Sequence, residues 1–246
     1  MEQECVGRAP GMNTVIINIL CEGQTEERFV KEVMKPYFAS SGIVLKHRLL
    51  VTSKKKNARG GMLNYVQAKG DLVRWMKENG ERNSETHFYT TMFDFYALPN
   101  DFPGFVEAES NSDPYDKVEA IERALEADLN SRYFIPYIQL HEFEALCFCD
   151  ISQMKAFYPS EGASIDALER VLEQYGGNPE LINNSPNTAP SKRIIDAIEG
   201  RKRYRYNKPK SGADVTKNIG MDKLMVMCHH FCNWVERLLA CYTPSY

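Results

Sequence analysis

Four acidic residues occupy positions from which they could hold a metal ion. Glu22 and Asp94 each follow a short apolar, β-branched run, and the pair Glu142 and Glu144 follows a third such run. Runs of that kind predict buried strands, and in parallel sheets the carboxyl ends of the strands form the ligand-binding edge. Carboxylate oxygens are the ligands that a hard divalent cation prefers. The sequence therefore predicts a site for Mg²⁺ or Mn²⁺ made by Glu22, Asp94, Glu142 and Glu144.

The elements that would position these acids alternate along the chain. Strands are predicted at 15–20, 43–51, 87–93 and 134–140, and helices at 25–37, 62–78, 113–130, 165–175, 191–199 and 221–242. Thr25 and Ser191 are expected to cap the helices that begin beside them. The alternation is typical of an α/β fold, a parallel sheet of about four strands with helices on both faces. We expect this core over residues 12–150, a helical C-terminal portion over 151–246, and a flexible extension over 1–11.

Composition restricts the classes of partner. The 246 residues include 30 Lys and Arg against 33 Asp and Glu, a formal net charge of −3. A basic coat for nucleic acid is excluded, so any polyanion must be bound by local clusters. No apolar run approaches the roughly 18 residues that a membrane span needs. Seven cysteines, an odd number, without a secretory pattern before them, indicate free thiols in the cytoplasm.

Basic residues gather in three places along the sequence. The nucleic-acid-binding candidates are Lys54, Lys55, Lys56 and Arg59 in one loop, Arg193 in "APSKRI", and Arg201, Lys202, Arg203 and Arg205 in another loop. Tyr204 and Tyr206 alternate with the last set, which suits stacking on bases as well as contacts to phosphates. Lys192 could stabilise the charge of a phosphoryl transition state. Ordinary solvated basic loops remain the alternative for all three places.

The ordered set of motifs resembles a known family. "CEGQTE" after an apolar strand is similar to the first motif of the TOPRIM domain, and "MFDFYALPNDFPG", "PYIQLHEFEAL" and "APSKRI" extend the likeness. Together they resemble a family of uncharacterised prokaryotic TOPRIM-like proteins, related to OLD-type nucleases and often encoded beside an ABC- or AAA-type ATPase in phage-defence operons. Tyr96 stands where the TOPRIM pattern has a second aspartate. Tyrosine cannot replace a carboxylate as a magnesium ligand at neutral pH, because its hydroxyl stays protonated.

The resemblance implies a TOPRIM-like, metal-dependent nuclease acting on DNA or RNA, with Glu22, Asp94, Glu142 and Lys192 as catalytic residues. Glu142 or Glu144 would complete the metal site in place of the missing aspartate, and Asp101 is a weaker candidate. Expected partners are nucleic acid, the ATPase and a second copy of the chain. The alternative is a degenerate subunit that binds nucleic acid or the ATPase without cleavage.

Two apparent metal motifs are interpreted as core packing. Cys228 and Cys232 share a helical face, but apolar residues occupy the neighbouring rows of the same segment. Cys147 and Cys149 lack the two-residue spacing of a redox or zinc pair. Buried free cysteine behaves as a small hydrophobic residue. His141 could orient a phosphate or a water, although a single histidine is more often structural.

Overall fold

The computed structural model describes residues 14–50, 62–80, 84–182 and 188–242. Its strands are β1 (Thr14–Cys21), β2 (Val44–Leu49), β3 (Glu85–Asp94), β4 (Phe134–Ile135) and β5 (Ile138–Gln139). All of them pair in parallel. β1 lies between β2 and β3, and both β4 and β5 pair with the other side of β3. The predicted α/β class with a parallel sheet and a helical C-terminal part is confirmed.

Helices connect the strands and make up most of the second half of the chain. The α-helices are α1 (Gln24–Phe29), α2 (Lys35–Ser40), α3 (Tyr65–Asn79), α4 (Phe105–Ala108), α5 (Pro114–Leu129), α6 (Gly162–Gln174), α7 (Pro190–Glu199), α8 (Ala213–Ile219), α9 (Met221–Met227) and α10 (His229–Leu239). A π-helical segment (Val30–Met34) joins α1 to α2, and another (Lys208–Gly212) leads into α8. A 3₁₀ segment (Phe143–Ala156) follows β5. None of the helices in the described ranges is long and apolar enough to cross a membrane.

The sheet separates two hydrophobic clusters. Ile17 and Ile19 of β1 face one cluster, whereas Leu20 faces the other, as the alternation of side chains along a strand requires. Helices α3 and α5 supply the second cluster with Leu72 and Val118. Because both faces of β1 are covered, the strand is apolar along nearly its whole length, which is why the sequence shows an unbroken run.

The C-terminal helices pack into the same core as the sheet. Phe231, Val235 and Leu238 of α10 are fully buried in the cluster that contains Ile17. The prediction of one long helix over 221–242 is wrong, because Cys228 adopts an extended conformation (φ −113°, ψ 96°) between α9 and α10. The break turns α10 so that its apolar face meets the sheet.

Three local expectations also need correction. The predicted strand 134–140 is interrupted at Pro136, which lacks the N–H that a continuous ladder would use. Thr25 does not cap α1, because the helix starts one residue earlier with Gly23 at its N-cap. Ser191 lies inside α7, whose N-cap is Ala189.

Candidate active site

The carboxyl ends of β1, β3 and β5 bring predicted site residues together. Glu22 directly follows β1, Asp94 is the last residue of β3, and Glu142 follows shortly after β5. Glu22 Oε2 accepts a hydrogen bond from the backbone N–H of Asp94 at 3.0 Å. Asp94 Oδ1 in turn accepts one from the backbone N–H of Phe143 at 2.9 Å. These two bonds join the three strand ends in one chain of contacts.

Glu142 and Glu144 point to the same side of their segment. Glu142 is extended (φ −154°, ψ 163°), and the 3₁₀ turn begins at Phe143. Lys208 Nζ lies 3.6 Å from Glu142 Oε2 and 3.3 Å from Glu144 Oε2, so both carboxylates face one ammonium group. The other oxygen of Glu142 accepts a hydrogen bond from the backbone N–H of Ser191, at the start of α7. Glu142 therefore connects the sheet edge to a C-terminal helix.

Glu26 is a fifth carboxyl group that the sequence analysis did not select. Its Oε2 accepts a hydrogen bond from the backbone N–H of Gly23 at 2.9 Å, and its side chain is buried beside the others. A Cβ at position 23 would lie only 3.0 Å from that oxygen, which explains the glycine without any need for a positive φ. The available signal was the position of Glu26 three residues after Gly23, where a glutamate side chain can reach back to the N–H of the N-cap residue.

Burial and mutual repulsion raise the pKa values of these acids. Burial raises the pKa of Asp94 well above its usual range, and Glu26, Glu22, Glu144 and Glu142 all raise it further. Burial, with repulsion from Glu22 and Glu144, raises the pKa of Glu26 to about 8. Burial raises the pKa of Glu144 to about 7, although Lys208 opposes the shift. Ionising the whole cluster is therefore costly unless positive charge is added.

The pKa of Lys208 is also shifted. Burial alone would lower it, but Glu144, Glu142 and Asp94 outweigh burial and raise it. The ammonium group therefore stays charged across the physiological range. Among the described contacts, it is the cation that touches the acidic cluster (Glu22, Glu26, Asp94, Glu142 and Glu144).

The cluster fits a divalent cation in donor chemistry and charge. Its donors are all carboxylate oxygens, and Glu144 Oε1 is buried without a hydrogen-bond partner. Across the described ranges, however, no three His, Cys, Asp or Glu residues are arranged to hold an ion. Glu22, Asp94 and Glu142 each use one oxygen to accept a hydrogen bond from a backbone N–H. A carboxylate that accepts one such bond keeps lone pairs that can still face a cation.

Lys192 has an exposed side chain, and no hydrogen bond or ion pair within the described part of the chain joins it to the carboxylates. Its neighbour Ser191 donates to Glu142 through the backbone N–H. The predicted role of Lys192 in phosphoryl transfer stays a prediction. Lys208, in the basic segment that follows α7, is the lysine that contacts the cluster.

The predicted nucleic-acid contacts fall into three groups. Lys54, Lys55, Lys56 and Arg59 lie outside the described residues. Arg193 is half-buried and donates from Nε to the backbone oxygen of Thr188 at 2.8 Å. The remaining candidates lie between α7 and Lys208, and all have exposed side chains: Arg201, Lys202, Arg203 and Arg205.

The two tyrosines of that basic segment differ in burial. Tyr206 is buried, and its hydroxyl has no hydrogen-bond partner. Tyr204 packs edge-on against Tyr158, with 5.4 Å between the ring centroids. The expectation of tyrosines interleaved with cations for base stacking is therefore wrong for Tyr206, because its ring is buried. It stays a prediction for Tyr204, whose side chain is only partly buried.

Three further residues from the sequence analysis differ in their surroundings. Asp101 accepts hydrogen bonds from the backbone N–H of Tyr65 at 3.0 and 2.9 Å, so it holds the start of α3. His141 is buried with neither ring nitrogen partnered, and burial lowers its pKa to about 4. Tyr96 has an exposed side chain.

The cysteines behave as core residues. Cys147, Cys149 and Cys228 are buried, which confirms the core interpretation for these three. Cys149 and Cys228 lie in contact, with 3.3 Å between their Sγ atoms. Cys232 is only partly buried on α10.

A parallel α/β sheet with a group of carboxylates at the ends of its strands thus defines the molecule. The chain belongs to the family described as Domain of unknown function (DUF4276), whose model matches residues 21–239. No curated protein and no solved structure matches it. The family match covers every residue of the acidic cluster, together with Lys208.

Proposed function

We propose that this chain is a metal-dependent nuclease of TOPRIM type that hydrolyses phosphodiester bonds in DNA or RNA. The observation that carries the proposal is the convergence of Glu22, Asp94, Glu142 and Glu144 at one edge of a parallel sheet. Burial raises the pKa values of Glu22, Asp94 and Glu144. A cluster of buried carboxyl groups is costly for a fold, and perturbed pKa values of this kind gather at functional sites.

Each residue has a role in this proposal. Glu22, Asp94, Glu142 and Glu144 would hold Mg²⁺ or Mn²⁺, and Glu26 would add negative charge beside them. The bound ion would supply Lewis-acid activation of water and neutralise charge on the phosphodiester. Lys208 donates to a phosphate oxygen, since its charged ammonium already lies between two carboxylates.

The exposed basic residues give a route for the substrate backbone. Arg201, Lys202, Arg203 and Arg205 are exposed in the segment that ends at Lys208. Phosphates bound along this segment would lead toward the acidic cluster, which otherwise repels a polyanion. Because the whole chain has a net charge of −3, this local concentration of cations matters.

We further propose that the chain works in the cytoplasm as the effector subunit of an anti-phage system that contains an ABC- or AAA-type ATPase. This part rests on the sequence resemblance to TOPRIM-like proteins encoded beside such ATPases. It predicts that the protein copurifies with the product of a neighbouring ATPase gene. Cleavage should be measured with and without that partner.

The test of catalysis is cleavage of labelled DNA and RNA by the purified chain in Mg²⁺ or Mn²⁺. Glu22→Gln and Asp94→Asn should abolish cleavage while circular dichroism and melting show a folded protein. Glu109→Gln, at an exposed position after α4, is the matched control and should cleave as the wild type does. Cleavage that persists in both cluster variants would reject the assignment.

A second candidate function is a subunit that binds without cutting. It is favoured by one observation, that Glu22, Asp94 and Glu142 are engaged by backbone N–H groups and no described group of three residues is arranged for an ion. Nucleic-acid or ATPase binding that is independent of divalent cations, with no hydrolysis even in the complex, would favour this candidate over the first.

A further inference from the structure

A cavity of about 240 Å³ lies between α5 and α10, at the break between β4 and β5. Pro136 and Tyr137 line it from the break, His230 and Trp234 line it from α10, and four residues line it from α5. Its lining, as far as the described residues form it, includes no member of the acidic cluster. The volume is below the roughly 300 Å³ at which pockets for drug-sized molecules begin. A ligand here must be small or must keep part of itself outside the cavity.

A buried polar pair forms one part of the cavity wall. His230 and Glu122 are 6% and 7% exposed, and Nε2 of His230 lies 3.0 Å from Oε1 of Glu122. The same Oε1 accepts a hydrogen bond from the backbone N–H of Ile138 at 2.7 Å. Oε2 of Glu122 has no hydrogen-bond partner among the described residues, yet it is not one of the fully enclosed polar atoms. It therefore stays reachable from the cavity and can accept a hydrogen bond from a ligand N–H or O–H.

Aromatic rings form a second part of the wall. The ring of Tyr137 stacks on that of Trp234, with 4.1 Å between the centroids and 10° between the planes, and on the imidazole of His230 at 5.3 Å and 19°. Trp234 is further fixed by its Nε1–H, which donates to Oγ1 of Thr90 at 2.8 Å. Nearly parallel rings beside one open carboxylate oxygen suit a small planar ligand that carries a hydrogen-bond donor.

Two arginines stand at the exposed margin of the lining. Arg123 of α5 pairs with Glu119 at 3.4 Å, and Arg237 of α10 pairs with Glu126 at 3.7 Å. Ion pairs between exposed side chains are weak, so these contacts are easily exchanged. A guanidinium group has five N–H donors in a planar arrangement that matches phosphate and carboxylate oxygens. An anionic group at the mouth of the cavity can therefore bind the arginines while the two glutamates turn to water.

We propose that this cavity binds a mononucleotide, with the base beside Tyr137 and Trp234 and the phosphate at Arg123 and Arg237. A nucleobase is planar and carries N–H donors for Oε2 of Glu122. The sugar connects the base to a phosphate outside the cavity, which agrees with the small volume and with the exposed position of the arginines. Because the site uses none of the carboxylates at the strand ends, this inference does not depend on the proposed nuclease activity.

Isothermal titration calorimetry in EDTA tests the proposal with the four ribonucleoside monophosphates, the matching nucleosides and inorganic phosphate. At least one monophosphate should bind, and its nucleoside should bind about 10-fold or more weakly, because it lacks the charged hydrogen bonds to the arginines. Arg237→Gln should weaken binding of the monophosphate and leave binding of the nucleoside unchanged. Arg74→Gln, at an exposed arginine that pairs with Asp71 on α3, is the matched control and should bind as the wild type does.

A second variant tests the inner contact. Glu122→Gln keeps an oxygen for the N–H of Ile138 but removes the charge, so it should weaken nucleoside and monophosphate alike by about 10-fold. Circular dichroism confirms that the variant is folded. The chain has two tryptophans, so Trp75→Phe leaves Trp234 as the sole emitter. Its fluorescence should change over the same range of ligand concentration as the calorimetric signal.

Four results would overturn the proposal. They are the absence of binding by any monophosphate at millimolar concentration, unchanged monophosphate binding by Arg237→Gln, and calorimetric binding without a change in the emission of Trp234. The fourth is inorganic phosphate that binds as tightly as the monophosphates, which would show a simple anion site. Weaker monophosphate binding by Arg237→Gln, together with a response of Trp234, supports the proposal.

Discussion

The carboxylate of Glu22 accepts a hydrogen bond from the backbone N–H of Asp94, 3.0 Å away, and so ties the end of β1 to the end of β3. The same side chain is thus both a structural link and a candidate metal ligand. Glutamine at position 22 keeps an oxygen that can accept this bond. For that reason Glu22→Gln separates the loss of charge from the loss of the fold.

Lys208 is expected to stabilise the fold when no metal is bound. Replacing it in Lys208→Met leaves Glu142 and Glu144 without their ammonium partner. We expect the free energy of unfolding to fall by about 1–3 kcal/mol. This is less than the loss of a fully buried ion pair would cost, because the lysine is partly exposed to solvent. Urea denaturation in EDTA measures the loss, and Mg²⁺ or Mn²⁺ should restore part of it.

Lys210→Met is the matched control for Lys208. Lys210 lies two residues away and pairs only at 3.9 Å with Asp214 from an exposed position. Its replacement should change stability by no more than about 0.5 kcal/mol. Equal effects of the two variants would show that Lys208 does not balance the acids.

Asp94→Asn should stabilise the metal-free protein while removing activity. Burial raises the pKa of Asp94, and four neighbouring carboxyl groups raise it further. The asparagine oxygen can still accept the bond from the N–H of Phe143. We expect a gain of about 1–2 kcal/mol near pH 8 in EDTA, shrinking as the pH falls and the acid is protonated. Destabilisation at pH 8 would mean that the cluster carries less repulsion than its geometry implies.

The buried pair of His230 and Glu122 should make stability depend on pH. Burial opposes the charge on His230, but the hydrogen bond to Glu122 at 3.0 Å, with attraction from Glu122, Glu180 and Glu119, outweighs it and raises the pKa. A raised folded-state pKa gives stability that is complete below the unfolded value, about 6.5, and is lost as the pH rises through the folded value.

The corresponding variant is His230→Gln. It should lower the free energy of unfolding by about 1–2 kcal/mol more near pH 5.5 than near pH 9. Urea denaturation at both pH values measures the difference. His229→Gln, which changes an exposed neighbour, is the control for the substitution itself. A cost for His230→Gln that does not vary with pH would contradict the assigned charge.

Gly104 has no room for a side chain. It has φ +76°, and a Cβ there would lie 2.7 Å from the Cβ of Ala124 on α5. Gly104→Ala should destabilise the protein by about 2 kcal/mol or more, through both backbone strain and overpacking. Gly177→Ala shares φ +76° but has nothing within 4 Å, so it should show only the strain, about 1 kcal/mol. Equal melting temperatures for the two variants would contradict the steric argument.

Three acids of the cluster could be found from the sequence, because a general rule of topology applies to them. Glu22, Asp94 and Glu142 follow apolar runs, and parallel strands place their carboxyl ends at one edge. Lys208 could not be found in this way, because it comes from a segment distant in the chain and resembles any surface lysine. Its position depends on how α7 and α8 pack, which no local pattern records.

Two wrong predictions about helix ends also have physical causes. Apolar periodicity continues across Cys228, so the pattern predicted one helix where packing on the sheet produces two. Thr25 was the better capping residue by type, yet Gly23 begins the helix because Glu26 supplies the cap from the third position. In the first case a tertiary contact outweighs the local preference, and in the second one local capping contact replaces another.

The interruption at Pro136 has a consequence for self-association. One edge of the described sheet ends in β4, a strand of two residues, and the opposite edge is β2, where Lys46 and Arg48 alternate with Leu45, His47 and Leu49. Short, interrupted and charged edge strands are poor templates for the backbone of another chain. Strand addition is therefore disfavoured at both edges of the described sheet, and its helical surfaces are better suited to hold a second copy.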